Sequence, residues 1–243
     1  MKSAVIGTFL LAGISAASGS PGNFERDTFS TAAGELAITS IGHASLMFEL
    51  DKNGTPYVIF IDPVGSEADY SQFPKADLIL VTHHHSDHLD PSAIGSITKR
   101  TTVIISNPEA AKGRKWRSAE NGALISVDGI SVKAVPAYNT TAGRERFHPK
   151  GRDNGYVIDF YGTKVFVSGD SEDIPEYGSL GDIRIAFLPV NQPYTMTLEQ
   201  AARAAKMIHP DILYPYHYSG TPVEKLKDML AGTDIEVRIR SLE

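Results

Sequence analysis

Thr82-His83-His84-His85-Ser86-Asp87-His88 is the stretch whose reading decides both fold and chemistry. It follows Leu78-Ile79-Leu80-Val81, a continuous apolar run that suits a strand buried on both faces. On an extended segment residues i and i+2 project to the same side, so His83 and His85 can both offer a ring nitrogen to one ion. His84 then points away and takes no metal role. Asp87 and His88 come as the chain turns, close enough to serve a second ion about 3.5–4 Å from the first. The competing reading of a histidine run is a solvated loop or an expression tag. This run is internal, follows a buried strand and carries an acid that a tag would lack.

Upstream of the run, Leu36–Ile41, Ser45–Leu50 and Tyr57–Ile61 are short, Val- and Ile-rich segments bounded by turn residues such as Asn53-Gly54. They read as strands of an antiparallel meander. Downstream the plan repeats, with strands expected at Ile130–Ala137, Gly155–Phe160, Thr163–Val167, Ile183–Leu188 and Ile212–Tyr214. Thr197 and Gln200 have capping-box spacing, and Leu198, Ala201, Ala202, Ala205 and Ile208 mark one apolar helix face that ends at His209-Pro210. A short helix is expected near Val223–Leu230. Two strand-rich halves with helices between them predict an α/β protein, a two-sheet sandwich flanked by helices. Residue similarity between the halves is too weak to show a repeat.

A chain of 243 residues with 42% hydrophobic composition builds one core more readily than two, so one domain is expected over 34–243, after a polar, flexible segment at 18–33. The first residues place Lys2 before an apolar run and then the small residues Ser15, Ala16 and Ala17. This is the layout of a signal peptide at 1–17, removed on export to the periplasm or the extracellular space. The run is shorter than the roughly 20 apolar residues of a membrane span, so no membrane partner is expected after removal. A net charge of -6 speaks against a nucleic-acid partner, because phosphate binding needs clustered Lys and Arg. The basic residues Lys112, Arg114, Lys115 and Arg117 around Trp116 read as a solvated face. Cysteine is absent, which removes disulfides and thiolate ligands and leaves imidazole and carboxylate as the strong metal donors.

Two later loops end expected strands with suitable donors. Asp170, in Ser168-Gly169-Asp170-Ser171, can bridge two cations with its two oxygens, and His217 closes Pro215-Tyr216-His217. Taken singly, Gly-Asp is weak evidence, and His217 reads equally well as a core histidine. Together with the H-x-H-x-D-H at His83, His85, Asp87 and His88, these motifs resemble the ordered metal motifs of the metallo-β-lactamase superfamily. The likeness runs from about Glu35 to Gly220. Gly42-His43-Ala44-Ser45, Ile61-Asp62-Pro63, Leu188-Pro189-Val190 and Tyr194-Thr195-Met196 resemble its ascorbate-6-phosphate lactonase-like branch.

The resemblance implies a four-layer αββα sandwich of two mixed sheets and two divalent ions, Zn2+ or Mn2+. It assigns His83 and His85 to the first ion, Asp87, His88 and His217 to the second, and Asp170 to the bridge between them. One departure matters. The superfamily supplies another histidine after the strand matching Ile130–Ala137, where this chain reads Pro136-Ala137-Tyr138-Asn139. His148 is expected to fill that place from its loop; the alternatives are Asn139 or water. His43 is read as a turn residue or a neighbour of the ligands, without a metal bond of its own, and His209 as a surface helix end.

A divalent ion lowers the pKa of bound water from roughly 16 towards about 7. The expected chemistry is therefore attack of a metal-held hydroxide on a small ester, lactone or phosphoester, with Asp87 as the catalytic residue that orients it and relays a proton. The loop around His148 holds Arg144, Glu145, Arg146, Lys150, Arg152 and Asp153, a net of +2 in an acidic protein. Arg146 and Arg152 are candidate contacts for an anionic small-molecule substrate; a solvated loop is the plainer reading. Tyr138, Tyr194 and Tyr218 either line the pocket or pack as core. The alternative function is a metal-binding or ligand-sensing module without turnover. Asp87 argues against it, since a purely structural site is a closed four-ligand set. Oligomeric state and natural substrate are not encoded in any of these motifs.

Overall fold

Alternation along three neighbouring strands divides the first half of the chain between two apolar layers. In β3 (Ser45–Lys52), Leu46, Phe48 and Leu50 face one side and Met47 the other. In β4 (Thr55–Ile61), Tyr57, Ile59 and Ile61 join the first set while Val58 and Phe60 join the second. In β5 (Leu78–Val81), Leu78 and Leu80 oppose Ile79 and Val81 in the same way. A strand that is apolar on both faces must be covered on both. One cover is a second sheet, against which Phe48 sets its ring 6.0 Å from Phe160 and 6.2 Å from Phe187. The other is α1 (Pro91–Ile97) with the 3-10 turn Tyr70–Gln72, whose Ala93, Ile94, Ile97 and Tyr70 close the outer layer.

The computed structural model describes residues 23–242; the signal-peptide reading of 1–17 lies outside the described residues. The first sheet runs in chain order: β1 (Glu25–Thr31), β2 (Gly34–Gly42), β3, β4, β5, β6 (Val103–Ser106) and β7 (Arg117–Ser118). Its first four strands are antiparallel and the rest parallel. The second sheet comprises β8 (Leu124–Val127), β9 (Ile130–Ala137), β10 (Asp153–Phe160), β11 (Thr163–Val167), β12 (Ile185–Pro189), β13 (Ile212–Tyr216) and β14 (Glu236–Val237). It repeats the pattern, with an antiparallel meander to β11 and parallel strands after it. α2 (Pro108–Ala111) follows β6. On the far side α3 (Leu198–Ile208) buries Ala201, Ala204, Ala205 and Ile208, and α4 (Lys225–Met229) buries Leu226. The result is the four-layer α/β sandwich expected from the sequence.

The capping box is present: Gln200 N donates to Thr197 Oγ1 at 3.1 Å and Thr197 N to Gln200 Oε1 at 2.8 Å. His209 caps the other end with φ 53° and lies exposed.

The flexible segment expected at 18–33 needs correction, because β1 occupies Glu25–Thr31. Its sequence carries little alternation, and only Phe29 is buried. The strand is held instead by distant charges: Arg26 pairs with Glu49, and Arg240 clamps Asp27 at 2.7 and 2.9 Å. Among the described residues no helix is long and apolar enough to cross a membrane.

Candidate metal centre

Both sheets present the carboxyl ends of their parallel strands at one rim, the usual position for a ligand crevice in α/β sheets. β4 delivers Asp62 there, β5 the His83–His88 run, β11 Gly169-Asp170, β12 Asn191 and β13 His217. Gly169 has φ 64°, and a Cβ there would lie 2.6 Å from the carbonyl of Asn154, so only glycine permits the turn into Asp170.

Three groups of donors result. His83, His85 and His148 form one, His83, His88 and Asp170 a second, and His43, Asp87, His88 and His217 a third, with the ligand atoms of each within 4.8 Å of one another. His83 Nε2 and His85 Nδ1 converge to 3.0 Å, as i, i+2 projection requires. Asp170 stands between the groups. Its Oδ2 is 3.3 Å from His148 Nε2 and 3.4 Å from His217 Nε2, and its Oδ1 is 3.3 Å from His88 Nε2. Asp87 Oδ2 lies 3.5 Å from His217 Nε2 and from His43 Nε2. His84 is exposed and belongs to no group.

The rear nitrogens of four of the inward-facing imidazoles have neighbours of their own. Asp62, fully buried, accepts from Thr82 N and Oγ1 at 2.7 and 2.6 Å and meets His88 Nδ1 at 2.8 Å. Asp153 Oδ2 meets His148 Nδ1 at 3.0 Å, Thr82 Oγ1 meets His83 Nδ1 at 2.9 Å, and the Asn191 amide is 3.5 Å from His217 Nδ1. Carboxylates behind metal-facing histidines fix tautomer and ring orientation.

Three forward-facing atoms, His88 Nε2, His217 Nε2 and Asp170 Oδ1, are buried without a hydrogen-bond partner. Leaving such an atom unpaired costs about 1–3 kcal/mol, and three converge on one point. Imidazole and carboxylate suit zinc and manganese alike, so the residues present fit a divalent-metal centre.

The electrostatics agree. Burial would raise the Asp170 pKa, but the imidazoles of His217, His88 and His148 hold it well below the ordinary carboxylate value. Asp87 is likewise lowered, against burial, by the nearby imidazoles of His217 and His43. Burial and then the nearby His88 lower His83, while burial and then His148 push His85 down to about 4. Both imidazoles are thus neutral and able to bind metal at physiological pH. His88 and His148 move the other way. Burial opposes their charge, yet Asp170 and Asp62 carry His88 well above its ordinary value, and Asp153 with Asp170 raises His148.

His148 thus stands with His83 and His85. Asn139, the alternative, faces elsewhere: its Nδ2 donates to the carbonyls of Tyr194 at 2.7 Å and Arg144 at 3.3 Å, and its N–H to the His148 carbonyl at 2.9 Å. Through these bonds it ties the two loops together.

Arg152 requires correction as a substrate contact. Its Nε and Nη2 bind Asp153 at 2.8 and 2.7 Å, and Nη2 also binds the Phe147 carbonyl at 2.6 Å. The guanidinium is engaged behind His148 and does not line the cleft. Arg146 is exposed, with its guanidinium 4.7 Å from the Phe147 ring centre, and does not line the cleft either. Tyr138 and Tyr218 are buried, with hydroxyls on Glu176 and the Arg240 carbonyl; Tyr194 lines the cleft.

Residues with no role in the sequence reading complete the site. Asp62 follows a strand as Asp170 does, which was its signal. Asp153 lies five residues beyond His148 and counted there only as loop charge. His43, expected to make no metal bond, has a ligand atom inside the third group and stacks its ring 3.8 Å from that of His217. Asn191 and Phe147 carried no local signal.

Comparison with known proteins agrees with this geometry. The β-lactamase superfamily domain profile matches residues 37–217. The chain belongs to that superfamily. A metal-dependent hydrolase of the UPF0173 group from Methanosarcina mazei is 32% identical over 226 residues, covering 85% of this chain and 96% of the relative. A crystal structure from Parabacteroides distasonis, described as a candidate metal-dependent hydrolase, is 52% identical with a TM-score of 0.87, covering 90% of this chain and all of that one. Igni18 of Ignicoccus hospitalis, a metallo hydrolase, is 27% identical with a TM-score of 0.67, over 85% of this chain and 95% of its own. The protein is a metal-dependent hydrolase of the metallo-β-lactamase fold.

Proposed function

We propose that this hydrolase cleaves a small ester, lactone or phosphoester at a pair of divalent ions, zinc or manganese. His83, His85 and His148 would hold one ion and Asp87, His88 and His217 the other, with Asp170 placed to serve both. What carries the reading is the convergence of His88 Nε2, His217 Nε2 and Asp170 Oδ1, all buried and without a hydrogen bond, beside a cleft of about 200 Å³. When bound, the ions supply a nucleophile from water at neutral pH and an electrophile for the substrate oxygen.

The chain's own residues do the rest. Asp87 lines the cleft with half its side chain exposed, and its lowered pKa keeps it ionised, so it accepts a hydrogen bond from the attacking water and orients it. Asp62 and Asp153 hold the imidazoles of His88 and His148 in the tautomer that turns Nε2 forward. The motif likeness to ascorbate-6-phosphate lactonase-like hydrolases adds a lactone to the substrates worth trying. Export to the periplasm or beyond rests on the N-terminal sequence.

Metal analysis of purified protein, then a screen of ester, lactone and phosphoester substrates with and without chelator, tests the reading. Turnover abolished by chelator and restored by Zn2+ or Mn2+ supports it. Turnover indifferent to chelator would overturn it.

A further inference from the structure

Eight residues line the cleft, and five of them, His85, Asp87, His148, Asp170 and His217, belong to the donor groups. The other three are Phe147, Asn191 and Tyr194, and neither Lys nor Arg is among the eight. Phe147 and Tyr194 meet edge to face, with ring centres 5.0 Å apart and planes at 72°. Tyr194 is 45% exposed, although large apolar side chains of this protein are mostly buried. The other exposed ones among the described residues, Leu124, Tyr161 and Met207, lie away from the cleft.

The two rings stand on a fixed backbone. Tyr194 N donates to the Asn191 carbonyl at 3.0 Å, and its own carbonyl accepts from Asn139 Nδ2. Phe147 N donates to the Arg144 carbonyl at 3.0 Å, and its carbonyl is held by Arg152. The basic residues of the surrounding loop already have partners. Arg144 lies 3.5 Å from Glu172, Lys150 bonds Tyr138 and Glu176, Arg152 binds Asp153, and Arg146 lies over Phe147. The wall beside the donor groups is thus aromatic, preorganised and without a lining cation.

We infer that Phe147 and Tyr194 form a subsite for an uncharged apolar group, of about the size of a phenyl ring, next to the bond that is cleaved. The substrate class is then an ester or lactone with an apolar acyl portion, in preference to a polyanionic phosphoester. An incoming ring completes the edge-to-face cluster and removes exposed aromatic surface from water. This inference rests on the hydrolase reading for the bond cleaved, and on the rings alone for the group bound.

Two paired measurements on the metal-loaded full chain test it. Titration calorimetry compares phenylacetate with acetate, and kinetics compare methyl phenylacetate with methyl acetate, so that each pair differs only by the ring. We expect phenylacetate to bind, and methyl phenylacetate to react in kcat/KM, about tenfold or more better than the acetate partner. Tyr194→Ala, at an exposed side chain that folding tolerates, and Phe147→Leu should each bring both ratios towards one. Equal or undetectable binding of the two acids, or ratios that survive both substitutions, would overturn the subsite. The two readings fail separately. A phenylacetate preference without hydrolysis of either ester keeps the subsite and removes a simple ester as the bond cleaved, whereas hydrolysis of both esters at equal kcat/KM does the reverse.

Discussion

Asp153 and His148, five residues apart on one loop, meet at 3.0 Å between Oδ2 and Nδ1, and Arg152 holds the same carboxylate through two nitrogens. A loop histidine is thereby given the rigidity that a strand end gives to His83. Asp153→Asn is expected to lower metal affinity by about 10–100-fold, the usual effect of removing a carboxylate behind a metal-facing histidine. Arg152→Ala should act in the same direction and more weakly. Metal titration calorimetry checks both. An Arg152→Ala protein with unchanged metal affinity and a raised KM for anionic substrates alone would restore Arg152 as a substrate contact.

Asp62 is the corresponding support on the other sheet. Replacing it with Ala leaves Thr82 N, Thr82 Oγ1 and His88 Nδ1 without their buried acceptor. We expect a loss of about 3 kcal/mol in urea unfolding, from donors stranded without a partner, together with weaker metal binding. A stability unchanged within about 0.5 kcal/mol would contradict the role assigned to this carboxylate.

Gly169→Ala tests the turn into Asp170. The positive φ and the 2.6 Å approach to the Asn154 carbonyl require the backbone to shift, at a cost of about 1–3 kcal/mol. Because the shift moves Asp170, the metal content of the purified variant should fall along with its Tm. A variant with full metal content and native Tm would show that the turn tolerates a side chain.

The pH dependence has a definite sign. In the metal-free protein Asp170 and Asp62 hold His88, and Asp153 and Asp170 hold His148, protonated above their ordinary value of 6.5, so these pairs stabilise the fold below that pH. The stabilisation is lost as pH rises through the raised values. Metal must displace those protons, so binding at pH 7 should release protons, read by calorimetry in buffers of different ionisation heat. The Tm gained on adding Zn2+ should accordingly be larger at pH 8 than at pH 6. No proton release at pH 7, or the opposite order of Tm gains, would contradict the charge states described.

Much of this architecture could be read from local sequence, for identifiable reasons. β3 to β5 announce themselves because alternation or a continuous apolar run reflects burial on two faces, and α3 because Thr197 and Gln200 cap each other within four residues. β1 was hidden because its Asp27 finds Arg240 more than two hundred residues away. β7 and β14, of two residues each, are too short to carry a period. α1 did carry a signal in Asp90-Pro91, with Asp90 Oδ1 accepting from Ser92 N. At the centre, the donors other than His43 could be named from the sequence, while the supports Asp62, Asp153 and Asn191 are defined by tertiary approach. The engagement of Arg152 shows the limit of counting charges: in a loop with a net of +2, Arg144, Lys150 and Arg152 each face a neighbouring carboxylate.

The most direct test is a crystal structure of the zinc- or manganese-loaded protein with anomalous diffraction at the metal edge. Two peaks about 3.5–4 Å apart, one beside His83, His85 and His148 and the other beside Asp87, His88 and His217, with Asp170 touching both, are the predicted result. A single peak that Asp170 does not touch, or none within reach of His148, would contradict the account.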